Sequence, residues 1–135
     1  ILENDKMLYR WFTEEEIRVM KEAVEDHRAS SDHEPRSIYG KIVAEADRII
    51  DPEITLRRTV QYGLKQNPAE NTEWHYNRFL NHLLNKYAEG GYLKLWFEHS
   101  KNGEKLRELR SLINNREELR NVFNKIFEEE TNLQI

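Results

Sequence analysis

The apolar positions of this chain recur at intervals of three and four residues, the period of an amphipathic helix. Leu119, Val122, Phe123, Ile126 and Phe127 form one such stripe and predict a helix from about 116 to 130. Tyr76, Phe79, Leu80, Leu83, Leu84 and Tyr87 form another, capped by Thr72 and stopped at Gly90-Gly91. Leu93, Trp96 and Phe97 begin a further helix, interrupted near Asn102-Gly103 and continued by Leu106, Leu109 and Ile113. Asp51-Pro52 breaks the pattern and restarts it, because proline is welcome in a first helical turn. That helix runs from about 53 to 65 and ends at Asn67-Pro68.

The first third follows the same rule. The opening residues, up to Trp11-Phe12, read as the end of a helix. Thr13 offers a hydroxyl cap, and Glu16 three residues later completes a capping box. Ile17, Met20, Val24 and His27 then mark an apolar face. Residues 29–35 are a polar loop. Ser37 caps a helix reaching about Ile50, with Tyr39, Val43, Ala46 and Ile50 inward. No run of alternating β-branched residues reads as a strand. The pattern predicts an all-α bundle in a single domain, with no internal repeat or interdomain linker.

Composition sharpens this. A chain of 135 residues buries roughly 70 % of its unfolded surface, enough for one core. The absence of cysteine excludes disulfides and thiolate metal sites and agrees with a reducing, cytoplasmic compartment. Lys+Arg number 21 against Asp+Glu 25, a formal charge of -4, and no tract is strongly basic. General nucleic-acid binding therefore has little electrostatic support. The apolar runs are far shorter than the ~20 residues that span a bilayer, so no membrane segment is expected. The chain opens Ile1-Leu2-Glu3 without an initiator methionine, as a processed chain or a piece of a longer one would.

Two polar residues stand out. At about 100° per residue, Asp47 lies about 40° from Val43, at the edge of the expected buried face. A buried carboxylate is costly unless paired or metal-bound, so an arginine partner and a metal role are both open readings. His27 prolongs the apolar stripe, as either a hydrogen-bonded structural histidine or part of a site. His33 reads as solvated, and His75, His82 and His99 as surface residues. Glu128-Glu129-Glu130 reads as a solvated helix end.

The stretch Ala23-Val24-Glu25-Asp26-His27-Arg28-Ala29-Ser30, then Pro35-Arg36-Ser37, then Lys41 to Ile49 with its Ala46-Asp47-Arg48 motif, resembles the HD-domain superfamily. More narrowly, it is similar to the small standalone bacterial phosphohydrolases of that superfamily, over roughly Phe12 to Arg58. The resemblance implies an HD-like helical bundle and makes Asp47 a ligand of a divalent cation (Mn, Mg, Fe, Ni or Zn). The family also uses an upstream histidine and a His-Asp doublet, and this sequence contains no His-Asp dipeptide. The expectation is therefore the C-terminal portion of an HD domain, truncated at its N-terminus and by itself inactive, the divalent ion belonging to the complete domain.

In a complete member the cation would activate water and neutralise phosphate charge for hydrolysis of a nucleotide or other small phosphoester. By resemblance His27 becomes a catalytic or phosphate-contacting candidate. Arg28, Arg36, Arg57 and Arg58 become candidate substrate-phosphate contacts. The competing expectation is a non-catalytic helical module for regulation or dimerisation. Exposed apolar surface on a truncated bundle would favour a homo-oligomer.

Overall fold

The computed structural model describes residues 1–133, and its regular elements are all helical. They are α1 (Glu14–Asp26), α2 (Ile38–Asp47), α3 (Pro52–Gln66), α4 (Thr72–Lys86), α5 (Lys101–Asn114) and α6 (Arg116–Asn132). No helix among the described residues is long and apolar enough to cross a membrane.

Side-chain caps fix where these helices start. Thr13 Oγ1 accepts from the Glu16 amide, and Glu16 Oε2 accepts from the Thr13 amide at 2.7 Å, a complete capping box. Ser37 caps α2 through the Gly40 amide, and Asp51 caps α3 with Pro52 in the first turn. Asn71, one residue before the expected Thr72, caps α4 through the Trp74 amide at 2.8 Å. Each such cap satisfies an amide that the helix leaves orphaned and is worth about 1 kcal/mol.

Two stretches depart from the expected helices. The opening forms two short 3-10 turns, Leu2–Asn4 and Leu8–Arg10. It is tied to α1 by an ion pair of 2.8 Å between Lys21 and Glu3. A helical turn with no longer repeat behind it does not repay its nucleation cost. Residues 93–100 are likewise irregular, although Leu93 is buried and Trp96 and Phe97 are half-buried. Ser100 caps α5 through the Gly103 amide. Asn102-Gly103 therefore lies in the first turn of α5 rather than interrupting a longer helix.

The chain divides into two compact units, residues 1–49 with 94–98, and residues 50–93 with the described residues from 99 onward. In the first, α1 packs on α2. The inward face of α2 is Gly40 and Ala44, whereas the expected Tyr39, Val43 and Ala46 are exposed. Gly40 explains the difference. A Cβ there would stand 3.1 Å from Pro35 Cβ and 3.6 Å from Ala23 Cα, so close helix approach uses the smallest residues and turns the bulky ones outward. On α1, Ile17, Ala23 and Asp26 are buried, while Val24 is exposed and His27 half-buried.

The second unit is built around Leu56, Val60, Phe79, Leu83, Leu109, Ile113, Leu119 and Phe123 from its four helices. Phe79 and Phe123 meet at 5.1 Å between ring centres, and Phe123 and Phe127 at 5.3 Å. His75 belongs to this interior, contrary to its expected surface place. It is 4 % exposed and lies 5.4 Å from the Phe127 ring, and its Nε2 has no hydrogen-bond partner. Polar neighbours in the sequence masked its position on the inward face of α4.

Burial holds the His75 imidazole below its ordinary value of 6.5. The unfolded chain therefore binds a proton at a higher pH than the folded one. The stability contributed by neutral His75 is complete above about pH 6.5 and is lost as the pH falls below it. Urea midpoints measured from pH 8 to 5 are expected to drop for the parent and to flatten for His75→Phe. In the same assay, Phe123→Ala is expected to cost about 3–5 kcal/mol at any pH.

Candidate functional site

The sequence candidates fall into both units. In the first, the end of α1, the loop after it and α2 bring Asp26, His27, His33, Arg36 and Asp47 onto consecutive elements. Asp26, which the sequence pattern passed over, is the most constrained of these, with 1 % of its side chain exposed. It accepts from the Arg36 amide at 2.9 Å, from Arg36 Nε at 3.0 Å and from Arg36 Nη2 at 2.9 Å. Arg36 Nη2 also donates to Glu25 at 2.8 Å. Arg36 thereby holds the Asp26 carboxyl below its ordinary value, against the opposing effect of burial. The Arg36 guanidinium is committed to two carboxylates.

His27 follows α1 as its C-cap, and its Nδ1 contacts the Val24 carbonyl. A carbonyl only accepts, so Nδ1 is the donor in that contact. His33 Nδ1 donates to the Glu34 carbonyl at 3.1 Å, with its Nε2 3.9 Å from Asp26. Arg28 is exposed and makes no ion pair among the described residues.

Asp47 closes α2. It is exposed, not at the edge of a buried face, because α2 is inward along Gly40 and Ala44. Its carboxylate makes no ion pair among the described residues. The next residue of the motif, Arg48, is buried, with Nε and Nη1 lacking hydrogen-bond partners. Burial lowers its pKa, and the charges of Glu45 and Asp47 oppose that.

In the second unit, Arg57 is committed internally. Its Nη1 donates to Glu130 at 2.8 Å and its Nη2 to Glu129 at 2.7 Å, and Gln61 adds a bond to Glu130 at 3.1 Å. Glu130 is buried, so the expected solvated helix end is in part the anchor of α6 on α3. The acidic run hid this, because only the helical register tells Glu130 from Glu128. Arg58 is exposed and has no carboxylate partner among the described residues.

Among the described residues, no three His, Asp or Glu side chains converge as a cation cage. The residues present therefore do not by themselves fit the divalent ion that the HD resemblance implies, and no catalytic step is routed through one. The chain matches no family model, no curated protein and no solved structure.

The Asp26–Arg36 arrangement makes its own prediction. Arg36→Met strips a buried carboxylate of its cation and should cost about 2–3 kcal/mol at neutral pH. In the parent, Asp26 is lowered in the folded state, so its stabilisation is present above the ordinary 3.8 and is lost as the pH falls through the folded value. Acid urea titrations should show that loss in the parent. In Arg36→Met the uncompensated carboxyl is raised instead, and acidification should recover stability.

Proposed function

We propose that this chain is part of an HD-type metal-dependent phosphohydrolase. In this reading Asp47 supplies one carboxylate to a divalent cation whose remaining ligands lie outside the described residues. The observation that carries the reading is Asp47 itself, the aspartate of an Ala-Asp-Arg motif, exposed at the end of α2 and without an ion pair among the described residues. A surface carboxylate with no ion pair among the described residues is available as an oxygen ligand, and hard divalent ions take oxygen ligands. The substrate would be a nucleotide or another small phosphoester. In the first unit Arg28 makes no ion pair among the described residues and is the candidate phosphate contact, whereas Arg36 already answers two carboxylates. His27, the C-cap of α1, is the candidate proton acceptor.

A second reading, a non-catalytic helical module, is favoured by an open apolar cleft of about 690 Å³ in the first unit. Phe12, Met20, Val24, Tyr39, Ile42 and Val43 contribute to it. Neighbouring Trp11 and Ile38 are also exposed. Contiguous exposed apolar surface marks interaction sites, and this reading assigns a second copy of the chain to it.

The protein in its natural full length is expected to hold one divalent ion and to hydrolyse a chromogenic phosphodiester. Asp47→Asn should lose both while keeping its far-UV circular dichroism, since that carboxylate is exposed and makes no ion pair among the described residues. Equal metal content in variant and parent would contradict the phosphohydrolase. A metal-free, inactive parent that sediments as a dimer would favour the module.

A further inference from the structure

The face shared by α3 and α4 differs in charge from the rest of the chain. Acidic residues number 25 in 135, yet none occurs between Glu53 and Glu70 or between Glu73 and Glu89. α3 and α4 pack on each other within the second unit. Arg58 and Tyr62 stand one turn apart on α3. Arg78, His82 and Lys86 stand at successive four-residue steps on α4, which puts them in one row.

The contacts join these residues into one surface. The Arg78 guanidinium lies 5.0 Å from the Tyr62 ring centre, and its Nη1 donates to the Thr59 carbonyl at 3.0 Å. The His82 and Tyr87 rings are 6.2 Å apart. Lys86 Nζ lies 5.2 Å from the Tyr87 ring and 5.9 Å from the Tyr92 ring. Arg58 is near enough for its charge to act on the Tyr87 hydroxyl.

These cations are not neutralised. Arg18, Lys21, Arg36, Lys41, Arg57 and Arg120 each pair with a carboxylate. Arg58, Arg78 and Lys86 pair with none among the described residues. The charge of two of them is felt at His82, whose imidazole is held down first by burial and then by Lys86 and Arg78. Tyr62 is 58 % and Tyr92 46 % exposed, so flat aromatic faces lie between the charges.

Unpaired cations at regular steps, interleaved with exposed rings, suit a ligand that alternates phosphates with flat bases. A polyglutamate segment offers the charge without the rings. A small ligand ordinarily needs a concave pocket, and this is an open helix face. The row from Arg78 to Lys86 covers about 12 Å, the reach of a few nucleotides, and the net charge of -4 disfavours a longer polyanion. We propose that the Arg58–Tyr62–Arg78–Lys86 face binds a short stretch of single-stranded nucleic acid, its phosphates on the cations and a base stacked on Tyr62. This rests on the second unit alone and does not depend on the Asp47 reading.

The test is fluorescence anisotropy of a labelled oligothymidylate of about eight residues with the 135-residue chain, across a salt series. Saturable binding is expected, with a slope of log K against log salt of about -2, from about 0.7 for each of three phosphates. The double variant Arg58→Gln/Lys86→Gln should bind about tenfold more weakly, with the slope reduced by at least about one. Tyr62→Leu should lose about fivefold or more with the slope unchanged, as a stacking contact and not a charge would. All these side chains except Lys86 are solvent-exposed, and circular dichroism of each variant checks the fold. Absence of saturable binding by the parent would overturn the proposal. So would a Lys105→Gln control, which removes a cation already paired with Glu108, that weakens binding as much as the double variant. Equal affinity for polyglutamate or for phosphatidylserine vesicles would overturn it as well, and would assign the face to another polyanion.

Discussion

A carboxylate sealed from water has to be answered by a cation, and the first unit is organised around that requirement at Asp26. Three donors of one residue, Arg36, answer it, two from the guanidinium and one from the backbone amide. The amide bond matters as much as the charge, because it fixes the main chain immediately before the Ser37 cap. α2 therefore starts at a set place against α1, and Gly40 lets the two helices approach. The position of Asp47 at the far end of α2 is a consequence of that start. A polar residue that the hydrophobic pattern ignores thus determines where the candidate ligand is displayed.

The starts of α1, α2 and α3 were legible in the sequence because a cap is a local event. Thr13, Ser37 and Pro52 each do what their residue types dictate over three or four positions. Helix faces were less legible. Tyr39, Val43 and Ala46 have the period of a buried stripe, yet the inward stripe of α2 runs through Gly40 and Ala44. Hydrophobicity ranks side chains by their transfer from water, whereas close packing of two helices selects for small volume. The same limit hid His75, which flanking polar residues placed on the surface, and Glu130, which looked like its two acidic neighbours. Burial of both is a property of tertiary partners, Phe127 for His75 and Arg57 for Glu130.

The candidate site shows a similar division. The arginines could be named from the sequence, but their availability could not. Arg36 and Arg57 are each held by two carboxylates distant in sequence or across a loop. Arg28 and Arg58 are not held. A net charge of -4 conceals the fact that some cations, such as Arg36 and Arg57, are internally paired while others, such as Arg58, Arg78 and Lys86 on α3 and α4, pair with no carboxylate among the described residues.

The central functional claim is that the Asp47 carboxylate ligates a divalent cation in the natural full-length protein. The most direct measurement is paramagnetic broadening of amide resonances on titration with Mn²⁺. The account predicts that the amides flanking Asp47, at the end of α2, broaden first and at stoichiometric metal. Uniform weak broadening, or broadening centred on the acidic end of α6 with the Asp47 region untouched, would contradict it.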